Sequence, residues 1–256
     1  MDKLGRFARL ARHWVWIAPI VVGFAFVAGG AYMLIEGRSA HDDVRDSILQ
    51  EDITVSADAP AFAGQTVDSA AKADAQSDAI LGHTLHTTGG YLYAELGSYS
   101  LPKGWYALEN GTYMTPAGGT TTDVSQAAKD SSGKPINMTQ DASLAAKDAN
   151  GNPVPGWTSD KTLAATDANG NPVSNPLRTT AQTSAFLRTS LGVAVMGFKV
   201  SDLVVGLGAF LIVMGLINVF IMSPVTYWAT VVADEHEKSR VKGAAAEKAP
   251  TSPQTT

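Results

Sequence analysis

The 256-residue chain contains no cysteine. Disulfides, thiolate metal sites and cysteine nucleophiles are thereby excluded, and any exported part must be held by packing and hydrogen bonds alone. Basic residues are scarce as well: 19 Lys and Arg against 24 Asp and Glu leave a net charge of −5, which argues against a nucleic-acid-binding surface. Neither a G-x-S-x-G elbow nor a G-x-x-x-x-G-K-[ST] phosphate loop occurs. Serine hydrolases and P-loop nucleotide chemistry lose their usual sequence support.

What the chain does have is strong segregation of apolar residues into two runs. The first extends from Trp14 to Ile35, and 22 residues of helix cover roughly 33 Å, enough for a hydrocarbon core of about 30 Å. Trp14, Trp16 and Tyr32 lie near its ends, where amphipathic rings favour the headgroup region. Its length exceeds that of a signal-peptide core, so an uncleaved anchor is expected. The second run is Leu203–Met222, led in by a weaker apolar stretch from Leu191. Lys3, Arg6, Arg9 and Arg12 precede the first span, and Lys238, Arg240 and Lys242 follow the second. Between them, residues 37–190 carry ten basic and seventeen acidic side chains. The positive-inside rule then predicts a multi-pass protein of the cell membrane with both termini cytoplasmic.

The predicted organisation is a mainly α membrane protein: two transmembrane helices with an extracytoplasmic helical region that carries a small β-rich hairpin insertion. Its parts are a basic cytoplasmic segment 1–13, a first span 14–35, an extracytoplasmic helical region 36–97 and a β-rich insertion 98–178. A helix 179–202 leads into the second span 203–222, and a cytoplasmic tail 223–256 is expected to be disordered at its end. Within the helical region, Ile53-Thr54-Val55 reads as a short extended piece and Ser56–Pro60 as a turn. A helix capped by Asp68 or Ser69 is predicted to end at Gly89-Gly90. In the insertion, Asn110-Gly111 between two aromatic runs signals a hairpin. A degenerate repeat follows, in which Asp130, Asp148 and Asp167 each precede Gly, Pro and a β-branched residue at a spacing of 18 and then 19. Such residues are turn formers leading into strands. Asp148–Asn152 and Asp167–Asn171 superficially resemble calcium loops, but the glycine falls at the fourth position and the twelfth-position Glu is absent.

Glu51–Asp58, Phe62–Asp68, Ala79–Leu96 and Thr183–Leu191, taken with the spans, resemble a family of actinobacterial two-span membrane proteins commonly labelled "aromatic ring-opening dioxygenase". The resemblance covers roughly residues 14–96 and 180–222, which makes 98–178 an insertion. It implies a two-span architecture, and its label implies non-haem iron held by two histidines and a carboxylate.

Four sets of residues carry candidate roles. His83 and His86 form an H-x-x-H pair near a helix end and could ligate a metal, with Asp78 or Glu95 supplying oxygen. Lys199 and Asp202, at i and i+3, form a candidate ion pair at the membrane boundary. Ala25 and Gly29 on the first span, and Gly206, Gly208 and Gly215 on the second, are small residues that permit close helix packing, either between the spans or with other chains. Asn218 is polar within the second span. The leading reading is a non-enzymatic accessory subunit or envelope interaction module. Its expected partners are the lipid bilayer and either further copies or a larger membrane complex, with no cofactor and no nucleic acid. The alternatives are an extracytoplasmic metal-dependent enzyme using His83 and His86, or a transport component with Lys199, Asp202 and Asn218 on its pathway.

Overall fold

In a computed structural model the described residues are 14–130, 132–232, 235–236 and 238–240; the basic segment 1–13 and the tail from 241 lie outside them. The chain is mainly helical, with small antiparallel strand pairs. Its long helices are α1 (Ile17–Leu49), α2 (Ala70–Thr88) and α3 (Pro176–Ile217). After α3 come a π-turn (Asn218–Met222), the short α4 (Ser223–Tyr227) and a second π-turn (Trp228–Val232). The six two-residue strands are β1 (Tyr99–Ser100), β2 (Tyr106–Ala107), β3 (Tyr113–Met114), β4 (Thr120–Thr121), β5 (Met138–Thr139) and β6 (Trp157–Thr158). Two compact units result, Met1–Asp43 with Lys199–Thr256, and Val44–Phe198.

In the first unit α1 and α3 run antiparallel and meet through glycines seven residues apart. A Cβ added at Gly23 would lie 2.7 Å from the Gly215 carbonyl, one at Gly30 would lie 2.5 Å from the Gly208 carbonyl, and one at Gly37 would lie 3.2 Å from the Ser201 carbonyl. The two backbones therefore touch, as small residues allow. A seven-residue repeat is the period of left-handed winding. From Gly215 to Ser223 the interval becomes eight, because the π-turn inserts one residue. Ser223, buried, donates from Oγ to the Trp16 carbonyl at 3.2 Å. Both apolar runs sit inside longer helices than expected: α1 passes Ile35 without a break, and the second helical run continues past Met222 to Val232.

The second unit has two buried apolar clusters. One joins Ile48, Val55, Val67, Ala73, Leu191, Val195 and Phe198. Ile53–Val55 is extended here, bridging Thr54 to Thr66, and the turn at Ser56 forms as expected. Helix α2 starts after Ser69, whose side chain makes no capping bond, and ends at Gly89 with φ of 67°. Helix α3 is capped three residues earlier than expected: Asn175 accepts from the Leu177 amide at 3.0 Å, with Pro176 in the first helical position.

The expected Asn-Gly hairpin is not formed. Tyr106–Ala107 and Tyr113–Met114 do not pair with each other; β3 pairs β4, β2 pairs β5 and β1 pairs β6, each pair nested inside the next. Asn110-Gly111 instead carries the chain from one level to the next. At every level three backbone groups close a cycle. The Ala107 amide donates to the Val154 carbonyl, the Val154 amide to Ala146 and the Ala146 amide back to Ala107, all at 2.9 Å. The same cycle joins Met114, Ile136 and Ala128, and again Ser100, Val173 and Ala165, at 2.7–2.9 Å. One corner advances by seven residues per level and the other two by 18 or 19, so the repeat read from the sequence builds three equivalent rungs. The middle rung is the driest, with Ala107 and Val154 fully buried.

These rungs are not a free-standing insertion. Ala107, Ala146, Val154 and Trp157 share the second apolar cluster with Tyr91, Leu96 and Ala181 from outside residues 98–178. Asn175 Nδ2 donates to the Gly97 carbonyl at 2.9 Å, and the Arg178 guanidinium donates to that of Leu96.

Candidate functional site

His83 and His86 lie one turn apart near the C-terminal end of α2, and both are exposed. The partner that reaches His83 is Asp58, from the turn after Val55, through Nε2 and Oδ2. Asp58 is also within 3.5 Å of the Ser56 hydroxyl. Neither Asp78 nor Glu95 joins this pair. Glu95 accepts from the Leu92 amide at 2.8 Å and from Asn110 Nδ2 at 3.3 Å, closing its own short turn. Among the described residues no three His, Asp or Glu side chains gather as a metal-binding group. The His83–Asp58 contact ties a loop to a helix across 25 residues of sequence, and no local pattern announced it.

Lys199 and Asp202 are both exposed on α3 and do not pair with each other. Ion pairs among the described residues include Lys72–Asp68, His83–Asp58 and the long His41–Asp42 contact. An exposed i, i+3 pair gains little over separate hydration, so two solvated charges are the physical outcome.

The five small residues divide. Gly208 and Gly215 lie in the α1–α3 contact, against Gly30 and Gly23. Gly29 and Gly206 do not; a Cβ at either would meet nothing within 4 Å, and Ala25 is exposed. The partners used on α1 are Gly23, Gly30 and Gly37. Ala25 and Gly29 are spaced by four residues, whereas the contact follows a seven-residue spacing.

The repeat turns use their carboxylates internally. Oδ1 of Asp130, Asp148 and Asp167 accepts backbone amides two and four residues ahead at 2.8–2.9 Å, and the following glycines adopt φ of 79–82°. Asp123, Asp141 and Asp160 accept amide and hydroxyl bonds from Ser125, Ser143 and Thr162. The neighbouring hydroxyl bond is the chief cause holding the carboxyls of Asp123, Asp130, Asp141 and Asp160 below the ordinary 3.8, and backbone donors to Asp148 and Asp167 do the same. An open cleft of about 640 Å³ is lined by Glu109, Thr112, Thr120, Thr121, Thr122, Ser143 and Leu144. Beneath the rungs, burial raises the Tyr91 phenol to about 12; its oxygen receives Asn137 Nδ2 at 3.2 Å, and its ring meets Trp157 edge-on at 4.8 Å.

The helix pair has a second regularity. Near one end Trp16 and Tyr227 pack edge to face, 5.6 Å between centroids. Toward the other end, around the Gly37–Ser201 contact, the exposed charges of Glu36, Arg38, Lys199 and Asp202 collect. From Trp16 to Gly37 the helical rise amounts to roughly 30 Å. In between, Val21, Val22, Phe24, Phe26, Leu203, Leu207, Phe210, Val213 and Phe220 point outward and are exposed.

No family model, no curated protein and no solved structure matches this chain.

Proposed function

We propose that the chain is a two-pass protein of the cell membrane, with both termini cytoplasmic, that presents the body Val44–Phe198 outside. Its role is that of a non-enzymatic accessory subunit or interaction module. The observation that carries this reading is the outward-facing apolar surface of the helix pair. Only 11% of the residues in either apolar window are buried, because the helices meet along a narrow glycine-lined strip, joined by Val27, Val205, Ile212 and Val219, and most of the large side chains lie outside it. In water each such side chain would forgo on the order of 1.5–3 kcal/mol of burial, a cost that lipid removes. The spacing of about 30 Å between the Trp16–Tyr227 ring pair and the charged level matches a hydrocarbon core. The basic flanks before Trp14 supply the orientation. Support for a non-enzymatic role comes from carboxylates that serve their own turns. The resemblance to the actinobacterial two-span family agrees in architecture.

Because the chain lacks cysteine, single cysteines report topology cleanly. Ser159→Cys, exposed just after β6, should react with a membrane-impermeant maleimide on intact cells, and Ser239→Cys should react only after lysis. The chain should also stay with membranes through an alkaline carbonate wash. Labelling of Ser239→Cys alone on intact cells would reverse the orientation, and release by carbonate would end the two-span reading.

A further inference from the structure

The open cleft is built from three local structures, each locked by its own hydrogen bonds. The Thr112 amide donates to the Glu109 carbonyl at 2.9 Å, and Gly111 at φ of 81° completes a tight turn that fixes both residues. The β3–β4 hairpin, in the register Tyr113↔Thr121 and Met114↔Thr120, supplies Thr120, Thr121 and Thr122. The turn at Asp141 supplies Ser143 and Leu144, with the Ser143 amide donating to Asp141 Oδ1 at 2.8 Å. Five hydroxyls and one carboxylate therefore line one concavity on backbone that no ligand has to order first. Most of their hydrogen-bonding capacity is unused. The side chains of Glu109, Thr112, Thr120 and Thr122 bond to nothing among the described residues. Thr121 Oγ1 accepts the Asp123 amide at 3.0 Å and keeps its proton to give. Ser143 Oγ donates to Asp141 Oδ1 at 2.6 Å and keeps its lone pairs.

The lining narrows the ligand by exclusion. Glu109 is a carboxylate, and the adjoining Asp123 and Asp141 are held ionised by hydrogen bonds from Ser125 and Ser143, so anions are repelled. Leu144 is the one apolar residue of the lining, too little for a ligand bound through hydrophobic burial. Glu109 is its one carboxylate, too few for a divalent cation. What remains is an uncharged molecule that gives and accepts hydrogen bonds at many points. Neighbouring sugar hydroxyls do both: a carboxylate accepts from two at once, and each threonine gives to one and accepts from another. The volume of about 640 Å³ is ordinary for a small-molecule site, and the open form admits a segment of a longer chain. We propose that this cleft binds an uncharged oligosaccharide. Every lining residue belongs to Val44–Phe198, so a site there is independent of where a membrane lies.

The full chain is purified in a zwitterionic detergent, because a sugar headgroup would compete for the cleft. It is then titrated by calorimetry with cellohexaose, maltohexaose and chitohexaose. The expected result is saturable binding of at least one of the three. The double variant Thr112→Val, Thr122→Val keeps the shape of the lining and removes two hydroxyls, so it should bind that sugar at least about tenfold more weakly. Glu109→Gln, an exposed change that leaves the fold alone, should weaken it as well. Melting temperatures equal to the parent's confirm that the losses are local, and Glu109→Gln carries the comparison if the double variant is less stable. Three outcomes would each overturn the proposal: no binding of any of the three sugars, undiminished binding in the variants, or tighter binding of hexagalacturonate or spermidine. The last would make the cleft a site for charged ligands instead.

Discussion

At the scale of single residues, neighbouring glycines on α1 have opposite jobs. Gly30 touches the Gly208 carbonyl, so even a methyl group there forces the helices apart; Gly29, one residue earlier, faces open space. Overpacking a tight contact costs roughly 1–3 kcal/mol, while replacing a helical glycine by alanine in free space gains up to about 1 kcal/mol in helix propensity. Gly30→Ala should therefore lower the thermal midpoint of the purified protein in detergent, and Gly29→Ala should leave it level or raise it. Equal effects would mean that the glycine contact does not hold the pair together. This distinction was written in the sequence, since Gly23, Gly30 and Gly37 keep a strict seven-residue interval. A small-x-x-x-small pattern does not capture it, because a left-handed antiparallel pair follows the longer period. The His83–Asp58 contact differs in kind: it depends on where a loop folds back, and no periodicity encodes that.

At the scale of elements, the repeat turns were legible and their assembly was not. Asp, Gly and Pro at fixed offsets announce a turn wherever they occur, because each acts through its own backbone. The partner strand is set by contacts across the chain instead. Tyr99, Tyr106 and Tyr113 lie seven apart, with Gly104, Gly111 and Gly118 five residues after each at φ of 81–96°; Gly104 and Asn110-Gly111 are the two steps between rungs, and Gly118 turns β3 back into β4. Read alone, that dipeptide mimics a hairpin. The six turn aspartates also make a pH prediction. Their carboxyls are held below the ordinary 3.8 in the folded chain by hydrogen bonds to the ionised form. A depressed folded value means that the stabilisation is fully present above the unfolded value and is lost as pH falls through the folded one. The repeat region should thus hold its structure near neutrality and loosen below about pH 4. Asp148→Asn and Asp167→Asn keep an acceptor oxygen but cannot titrate, so near-ultraviolet circular dichroism of the double variant should show a shallower acid limb than the parent. An unchanged limb would assign acid sensitivity to other groups.

At the scale of the whole molecule, nesting decides which parts can be removed. β1–β6 encloses β2–β5, which encloses β3–β4, so the rung of Met114, Ile136 and Ala128 is the terminal one in the chain's own pairing order. The middle rung, through Ala107, Ala146 and Val154, shares a core with Tyr91, Leu96 and Ala181. Replacing residues 98–178 by a Gly/Ser linker therefore uncovers that core. Each large side chain returned to water costs about 1.5–3 kcal/mol, and domains typically have only 5–15 kcal/mol in reserve. That variant should aggregate or lose its slow-exchanging amides, although the resemblance ends and resumes at those positions. A smaller cut should behave differently. Deleting Thr112–Asn137 removes the terminal rung and leaves Leu108–Gly111 as a four-residue loop joining Ala107 to Met138, which already face each other across β2 and β5. Four-residue loops are common in hairpins, so the remaining two rungs should close. The Asn137 bond to Tyr91 is lost with the deleted segment, which lowers the melting temperature without abolishing the fold. Hydrogen exchange on both variants checks the order of dependence: the amides of Thr84 and Thr88 in α2, which both variants retain next to Tyr91, should stay protected in the short deletion and lose protection in the long one. Survival in both would detach the rungs from the core around Tyr91, and loss in both would make the three rungs a single indivisible unit.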